Sequence, residues 1–293
     1  MSIKLDLYKI FSEVAKYKSF SKAAKSLYMT QPAISQAIMQ LENELEIRLF
    51  TRTPRGVILT NEGELLFEYT NSAINLINVA EKKLTESKNL LTGNLKLGVG
   101  DTISRYFLLP YLEEFHSKYP NIKLKIINRT TLELCLMLKS GEIDIAICNL
   151  PIDDPSLEVK KLIDIHDIFV CGKKYKDKIH TSISLNELSN FPLIFLESKS
   201  NSRQYVEKYM LSKGITITPE IELGSHDLLL EFAKINLGIS CVIKEFSQDY
   251  LKNKTLYEVQ LNEVIPKRNI GVCFLKSVSL SPPSTKFVDI LKK

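Results

Sequence analysis

The chain has 293 residues, of which 44% are hydrophobic and 25% charged, with 11 Gly, 11 Pro and no Trp. These values are typical of globular proteins and exclude collagen-like, low-complexity and disordered chains. The length predicts two or three folded units, and no apolar run approaches the ~18 residues that a bilayer crossing needs. Charges are interspersed through residues 1–7, unlike in a signal peptide, so we expect a cytoplasmic protein that binds no membrane.

The net charge of +5 is unevenly distributed along the chain. Residues 1–60 carry nine Lys and Arg against five Asp and Glu, whereas residues 61–293 carry 30 against 29. A basic excess confined to one small segment indicates an anionic partner for that segment, such as nucleic acid. An ordinary solvated surface is the alternative.

Helical spacing of apolar residues predicts three helices within the first 45 residues. The first begins near Leu5, and a short second helix over residues 22–27 has Ser21 as its expected N-cap. Thr30 is the expected N-cap of the third helix, in which Pro32 suits the first turn. The third helix is expected to bury one apolar face, made of Ile34, Ile38, Leu41 and Leu45.

The opposite face of the third helix carries uncharged hydrogen-bonding side chains near its N-terminus. This face consists of Gln31, Ser35, Gln36, Met39 and Gln40. Gln can pair bidentately with adenine edges, and Ser can address several bases. A short helix, a tight turn and a longer capped helix are typical of a helix-turn-helix, which places the second helix in the major groove. A three-helix module with a merely polar exterior is the alternative.

Residues 48–60 are interpreted as two short strands around a Pro54-Arg55-Gly56 turn. Arg52 and Arg55 on such a hairpin are placed to meet phosphates or to enter the minor groove. The sequence therefore predicts a winged helix-turn-helix.

A long amphipathic helix is predicted from a cap at Thr60 or Asn61 to about Lys88, ending at Thr92-Gly93. Its apolar residues follow a near-heptad spacing, through Leu66, Tyr69, Ala73, Leu76 or Ile77, Ala80 and Leu84. Such a stripe needs a partner. Packing against the rest of the chain is one possibility, and pairing with a second copy is favoured because helix-turn-helix proteins bind two half-sites as dimers.

From Asn94 onward, strand and helix patterns alternate. Strands are predicted at residues 95–99, 122–127, 143–147, 167–171, 193–196, 220–223, 239–242, 256–260 and 270–275. Helices are predicted at residues 104–118, 131–140, 203–213, 227–236, 244–251 and 284–292. This alternation favours parallel sheets with crossover helices. Ligands of such sheets bind beyond the carboxyl ends of the strands.

Two groups of motifs together resemble the LysR-type transcriptional regulators. The first is the run Phe20-Ser21-Lys22-Ala23-Ala24, Thr30-Gln31-Pro32-Ala33-Ile34-Ser35-Gln36, Leu49-Phe50-Thr51-Arg52 and Leu59-Thr60-Asn61-Glu62-Gly63. The second is Leu108-Leu109-Pro110, the run from Phe115 to Ile122, Gly141-Glu142-Ile143-Asp144-Ile145-Ala146-Ile147 and Asn236-Leu237-Gly238-Ile239. The chain departs from the family at Glu46, where Gly is usual.

The resemblance implies a multi-domain chain with three parts. Residues 1–60 would form an all-α winged helix-turn-helix domain, residues 61–92 a linker helix for dimerisation, and residues 93–293 an α/β effector-binding domain. That last domain would have two Rossmann-like lobes, like a type 2 periplasmic binding protein, with lobe I at about 93–163 and 268–293 and lobe II at about 164–267.

The resemblance also implies a function, a sequence-specific regulator of transcription that responds to an unidentified small-molecule effector. The expected partners are double-stranded operator DNA, a homodimer or homotetramer of the chain, and RNA polymerase. The expected DNA-binding residues are Ser21, Lys22, Gln31, Pro32, Ser35, Gln36, Arg52 and Arg55. The expected effector-binding residues are Thr102, Ser104, Thr130, Asn149, Ser200 and Ser225, for which simple N-capping is the alternative.

The charges near these loops indicate what kind of effector to expect. Lys199 and Arg203 favour a small carboxylate or another anion, whereas Asp101 would repel one. No cofactor is expected, because the chain has neither a GxGxxG nor a GxxxxGK[ST] phosphate loop. A structural zinc site is not expected either, since the five Cys form no CxxC pair and the four His show no HxxxH spacing.

Three other functions are alternatives to a regulator. Ser225-His226-Asp227 superficially suggests an enzyme, but neighbouring residues at a helix start point in different directions and no GxSxG elbow occurs, so His226 is expected to be a capping or surface residue. A solute-binding protein would lack residues 1–60. A thiol redox switch would need an exposed, activated Cys, and the scattered thiols are expected to be core residues.

Overall fold

The computed structural model describes residues 3–53, 56–86 and 93–292 and divides into two compact units. The first unit contains the N-terminal helices and a β-hairpin, and the second contains two mixed β-sheets with their helices. Within the described ranges, no helix combines the length and the apolar character that a membrane crossing requires.

The first unit is a winged helix-turn-helix followed by a long helix. Its elements are α1 (Leu5–Tyr17), α2 (Phe20–Ser26), α3 (Gln31–Leu45), β1 (Phe50–Thr53), β2 (Gly56–Leu59) and α4 (Asn61–Glu86). The two strands pair antiparallel with Phe50 opposite Leu59. Ile34, Ile38 and Leu41 of α3 are buried as predicted, against Phe11 of α1. Leu45 is only half-buried.

Of the two N-caps predicted for α2 and α3, one is confirmed and the other is wrong. Thr30 caps α3, since its Oγ1 accepts a hydrogen bond from the Ala33 amide at 3.4 Å. The N-cap of α2 is Ser19, whose Oγ accepts from the Lys22 amide at 3.3 Å, so the prediction of Ser21 is wrong. The earlier start brings Phe20 into the helix, where its ring lies 6.1 Å from that of Phe50.

Thr60 fixes the start of α4 beside the wing. Its hydroxyl donates to the Arg48 carbonyl at 2.8 Å and accepts from the Gly63 amide at 3.0 Å, so Thr60 rather than Asn61 is the cap. A Cβ on Gly63 would lie 2.2 Å from the Leu49 carbonyl oxygen, which explains why Gly is needed there. The predicted end of this helix at residues 92–93 involves positions outside the described residues.

The second unit is an α/β structure. Its strands are β3 (Gly93–Val99), β4 (Ile122–Asn128), β5 (Ile145–Leu150), β6 (Leu157–Ile165), β7 (Asp167–Cys171), β8 (Leu193–Leu196), β9 (Ile221–Leu223), β10 (Ile239–Ile243), β11 (Tyr257–Glu258) and β12 (Arg268–Leu275). Its helices are α5 (Asp101–Ile103), α6 (Leu109–Lys118), α7 (Thr131–Lys139), α8 (Lys173–Lys176), α9 (Leu185–Leu188), α10 (Asn201–Ser212), α11 (His226–Lys234), α12 (Gln248–Lys252) and α13 (Pro282–Leu291).

The strands form two five-stranded sheets, in the orders β4-β3-β5-β12-β6 and β11-β7-β10-β8-β9. In the first sheet β3 is parallel to β4 and β5, but β12 runs antiparallel to β5 and β6. In the second, β10 is parallel to β8 and antiparallel to β7. The expected parallel pairing is therefore confirmed for β3 with β4 and β5 and for β8 with β9 and β10, whereas β6 and the antiparallel pairings were not predicted. The antiparallel strands occur where the chain passes from one sheet to the other and returns.

Two predicted helices are interrupted. The helix expected over residues 104–118 consists of a π-helical turn at Ser104–Leu108 and α6, and it is preceded by the short α5. Pro110 lacks an amide hydrogen and so cannot donate to the Tyr106 carbonyl, which breaks the α-helical ladder at this point. The helix expected over residues 244–251 is a 3₁₀ turn at Lys244–Phe246 followed by α12.

Each sheet has its own apolar core. Phe115 and Phe287 are fully buried on the first sheet, with their rings 5.1 Å apart. Phe169 and Phe195 are fully buried on the second, at 5.8 Å. All five Cys are buried, as predicted.

Candidate functional site

The exposed face of α3 presents hydrogen-bonding side chains with no charge at its N-terminal end. Gln31, Pro32 and Gln36 are exposed, and Ser35 is half-buried. Gln31 Nε2 donates to Ser35 Oγ at 3.3 Å, so these two side chains are held together one helical turn apart. The Thr30 cap and the buried Ile34 on the opposite side orient this face toward solvent.

Glu42 fixes the wing to α3, a role that sequence reasoning missed. Its buried carboxylate accepts hydrogen bonds from the Leu49 amide at 2.7 Å, the Phe50 amide at 3.2 Å and Arg48 Nη1 at 3.0 Å. The opening of β1 is thereby tied to the helix that is expected to enter the groove. A buried acid within an otherwise apolar face of α3 is the signal that could have revealed it.

The remaining expected DNA-binding residues are Ser21, Lys22, Arg52 and Arg55. Ser21 and Lys22 are exposed on α2. Arg52 belongs to β1, its side chain is not among those described, and Arg55 lies outside the described residues. The second wing strand is held by a hydrogen bond from the Val57 amide to the Lys18 carbonyl at 3.1 Å.

A cleft of about 390 Å³ lies in the α/β unit at the ends of strands from both sheets. Four expected effector-binding residues line it, namely Thr102, Thr130, Asn149 and Ser200. Ser104 does not line it; its Oγ accepts a hydrogen bond from Asn128 Nδ2 at 3.1 Å. Ser225 does not line it either and lies at the start of α11.

The helix starts that border the cleft differ in how they are capped. At α7, Thr130 Oγ1 accepts from the Glu133 amide, while the Glu133 carboxylate accepts from the Thr130 amide and hydroxyl at 2.9 and 2.7 Å. These hydrogen bonds hold the pKa of Glu133 below its usual range. At α10, the Ser200 side chain makes no capping hydrogen bond. The backbone amides in the first turn of α10 are therefore available to donate, whereas the start of α7 is capped by the Glu133 carboxylate.

Arg268 lies behind the residues that line the cleft and hydrogen-bonds to two of them, a role that the sequence did not predict. The side chain is 3% exposed. Its Nε and Nη2 donate to the buried Asp167 carboxylate at 2.5 and 2.8 Å, Nη1 donates to Asn149 Oδ1 at 2.6 Å, and Nη2 donates to Ser202 Oγ at 2.9 Å. Asn149 belongs to the first sheet, whereas Asp167 and Ser202 belong to the second sheet and its helix. One guanidinium therefore bridges the two lobes.

The two cations expected to attract an anion have different surroundings. Lys199 lines the cleft and donates no hydrogen bond within the described part of the chain. Arg203 is buried, with its Nε 2.6 Å from Glu207 and its Nη1 2.8 Å from Glu222. The expectation that Arg203 serves an anionic ligand is therefore wrong, since two carboxylates already neutralise its charge.

His226 is a core residue, so the expectation of a surface or capping histidine is wrong. Its ring is 3% exposed, Nε2 accepts from the Ile243 amide at 3.1 Å, and Nδ1 has no hydrogen-bond partner among the residues that the structure describes. Burial lowers the pKa of His226 to about 4. The ring packs edge-on against Tyr106 at 5.5 Å.

Asp227 hydrogen-bonds to residues of the other lobe and not to its neighbours His226 and Ser225. Its carboxylate accepts from Arg105 Nη1 at 2.9 Å and from the Tyr106 hydroxyl. The Tyr106 ring also stacks on Phe246 with centroids 5.3 Å apart. Burial and the hydrogen bond to Asp227 raise the pKa of Tyr106. The arrangement gives an interlobe latch and no nucleophile–base pair.

Three of the thiols, those of Cys148, Cys171 and Cys241, have raised pKa values. Cys148 is hydrogen-bonded with Cys273 and buried, and both effects raise its pKa. Burial raises the pKa of Cys171 to about 11 and also raises that of Cys241. Among the residues that the structure describes, no group of His, Cys, Asp and Glu has the arrangement of a metal site.

The helix-turn-helix face and the interlobe cleft define a DNA-binding regulator with a ligand-sensing domain. Two family models match the chain, "Bacterial regulatory helix-turn-helix protein, lysR family" over residues 5–64 and "LysR substrate binding domain" over residues 88–293. The chain belongs to the LysR family. It is a transcriptional regulator with an effector-binding domain, and the family is one of regulators rather than enzymes.

Relatives match along almost the whole chain. The RuBisCO operon transcriptional regulator of Allochromatium vinosum is 24% identical over 291 residues, which cover 99% of this chain and 96% of the relative. The transcriptional regulator CysL of Bacillus subtilis is 22% identical over 98% of this chain and 96% of its own.

Solved structures share the fold. A full-length OxyR variant from Pseudomonas aeruginosa superposes with a TM-score of 0.70 at 21% identity, covering 100% of this chain and 94% of its own. CbnR, described as a LysR family transcriptional regulator, superposes with a TM-score of 0.63 at 18% identity, covering 99% of this chain and 98% of its own.

Proposed function

We propose that the chain regulates transcription by binding operator DNA as a dimer, through α3 in the major groove and the β1–β2 wing on the backbone. The observation that carries this proposal is the exposed, uncharged N-terminal face of α3, where the solvent-exposed Gln31 and Gln36 side chains are placed to reach base edges. Glu42 supports it, because it holds the wing at a fixed position beside that face. Ser21, Lys22, Arg52 and Arg55 would meet phosphates or the minor groove.

The dimer is proposed on the exposed apolar stripe of α4. Leu65, Tyr69 and Ile77 are 59%, 69% and 36% exposed, which is unusual for large apolar side chains spaced along one long helix. An amphipathic helix of this length needs a partner to cover its apolar stripe. A second copy of the same helix would cover it and would place two recognition helices on one duplex, as half-site binding requires.

The effector is proposed to bind in the interlobe cleft. Its volume of about 390 Å³ is in the range of small-molecule sites. Residues from both lobes line it, so a bound molecule would stabilise one relative arrangement of the lobes over others. That shift would change the spacing or bending of the DNA held by the dimers.

Fluorescence anisotropy with duplex from upstream of the encoding gene and with a scrambled duplex tests the proposal across a salt series. Arg52→Ala should weaken binding to both duplexes alike and lower the salt slope by ~0.9, the loss of one phosphate contact. Gln36→Ala should weaken binding to the upstream duplex by ~1–3 kcal/mol more than binding to the scrambled duplex. Lys252→Ala, on exposed α12, is the matched control and should change neither. Equal affinity of the unmodified protein for both duplexes, with and without candidate metabolites, would refute the proposed function.

A further inference from the structure

Arg268 fixes the hydrogen-bonding polarity of two cleft-lining side chains. Asn149 Oδ1 accepts from Arg268 Nη1, which leaves the Asn149 amide group to face the cleft as a donor. Ser202 Oγ accepts from Arg268 Nη2, which leaves the hydroxyl proton to be donated. A guanidinium has five donors and no acceptor, so turning the Asn149 oxygen or the Ser202 oxygen away from Arg268 toward a ligand would leave one of its N–H groups without that acceptor. The buried ion pair with Asp167 holds the guanidinium in place.

Further donors lie at the same end of the cleft. Asn201, Ser202 and Arg203 are in the first turn of α10, where amides have no partner inside the helix and Ser200 supplies no cap. Lys199 adds a positive charge next to this turn.

His226 contributes an independent observation. Its Nε2 accepts from the Ile243 amide, so the neutral ring carries its hydrogen on Nδ1, which has no acceptor within the described part of the chain. The ring is 3% exposed and borders a small recess of about 20 Å³ that Ser202 and Thr102 also line. A buried, unpaired N–H donor is costly unless something accepts from it.

Acidic groups of the cleft limit the charge of the ligand. Glu133 is engaged with Thr130. Asp101 and Glu197 also line the cleft and accept no side-chain hydrogen bond within the described residues. The three carboxylates of Asp101, Glu133 and Glu197 outnumber the cations Arg129 and Lys199 in the cleft lining, and this excess would repel a polyanion more strongly than a singly charged ligand.

We propose that the effector carries a single oxyanion, a monocarboxylate, which lies at the start of α10 against the Asn149 amide and the Ser202 hydroxyl, and that Arg268 is the positioning residue that makes this end of the cleft donate. The inference rests on the proposed function and names the ligand class of its cleft. Arg268 itself lies behind the lining residues and acts through them.

The test is a thermal-shift titration of the full-length protein with paired probes at matched ionic strength. The pairs are acetate with acetamide, butyrate with butyramide and benzoate with benzamide, and citrate serves as a polyanion. At least one monocarboxylate should raise the melting temperature at concentrations tenfold or more below its amide, as expected for a hydrogen bond to a charged group. Citrate should be weaker than that carboxylate. If no monocarboxylate stabilises the protein more than its amide does, the assignment is wrong.

Asn149→Asp separates positioning from general stability. An aspartate can still accept from Arg268, but it presents an acceptor to the cleft where Asn149 presents a donor. The preference for carboxylate over amide should fall at least tenfold or reverse, and the exposed Asn253→Asp should keep it. Arg268→Lys keeps the charge beside Asp167 but cannot hold both Asn149 and Ser202, and should also reduce the preference. An unchanged preference in Asn149→Asp would overturn the proposal. Because operator binding without effector is measured separately, failure here leaves the proposed function standing.

Discussion

Glu46 ends the recognition helix α3 in a left-handed conformation, with φ 57° and ψ 29°. Its amide donates to the Asn43 carbonyl at 3.3 Å, and the Ile47 amide donates to the Glu42 carbonyl at 3.1 Å. This pair of hydrogen bonds is the Schellman motif, which usually has Gly at the left-handed position. The chain therefore keeps the turn that the family builds with Gly and carries the strain of a Cβ there.

Replacing Glu46 with Gly should stabilise the first unit. The left-handed backbone conformation costs a residue with a Cβ ~1–2 kcal/mol, which Gly would not lose. Gly also makes the unfolded chain more flexible, and this lowers the stability of the folded state by ~0.4–1 kcal/mol. Removing a negative charge from a helix C-terminus adds ~0.3–1 kcal/mol for an exposed side chain. We expect a net gain of ~1 kcal/mol for Glu46→Gly.

Hydrogen exchange by mass spectrometry on the full-length protein measures this gain in α3 peptides. A gain of ~1 kcal/mol slows exchange about fivefold where local opening limits it. Glu46→Gln removes only the charge, so it should produce only the smaller, salt-dependent part of the gain in stability. Glu46→Ala also removes the charge but keeps the strained left-handed backbone. If Glu46→Gly and Glu46→Ala slow exchange equally, the left-handed backbone carries no cost and the reasoning is wrong.

Three further predictions concern the α/β unit. Tyr106→Phe removes the hydroxyl that donates to Asp227 and should lower the free energy of unfolding by ~1–2 kcal/mol. Tyr111→Phe serves as the control. Equal effects of the two variants would show that the hydrogen bond between Tyr106 and Asp227 does not stabilise the protein. Burial lowers the pKa of His226 to about 4, so the unfolded chain, with a histidine pKa near ~6.5, binds more protons between these values. Stability should be complete above pH ~6.5 and fall by up to ~3 kcal/mol as the pH drops to ~4. His226→Gln should flatten that fall in urea unfolding, and an unaltered pH profile would contradict the assignment. The five buried thiols should resist an aromatic disulfide reagent in native protein and all react in urea; rapid native labelling of any of them would show that burial is incomplete.

Local sequence patterns predicted the winged module well. Helical spacing, the Thr30 cap and Pro32 place the start of α3 at Gln31, where the structure has it. The same patterns placed the cap of α2 at Ser21 instead of Ser19, because two serines two positions apart are equivalent to a propensity argument. Contact of the Phe20 ring with Phe50 distinguishes them, and that contact depends on the folded wing.

The cleft was only partly predictable. The rule that ligands bind beyond strand ends led to Thr102, Thr130, Asn149 and Ser200, all of which line it. The rule could not separate these from Ser104, which is engaged by Asn128. Nor could it show that Arg203 is neutralised by Glu207 and Glu222, since those pairings depend on helix rotation and strand order.

The sequence by itself determined the family, through motifs that resemble it, and the polar face of α3, which follows from helical periodicity and a short-range cap. Only the tertiary structure decided that Arg268, Asn149, Asp167 and Ser202 meet, although up to 119 positions separate them in the chain. Such a meeting depends on two sheets closing around a crossing strand, and hydrophobic burial fixes that geometry without leaving a periodic signal in the polar residues themselves.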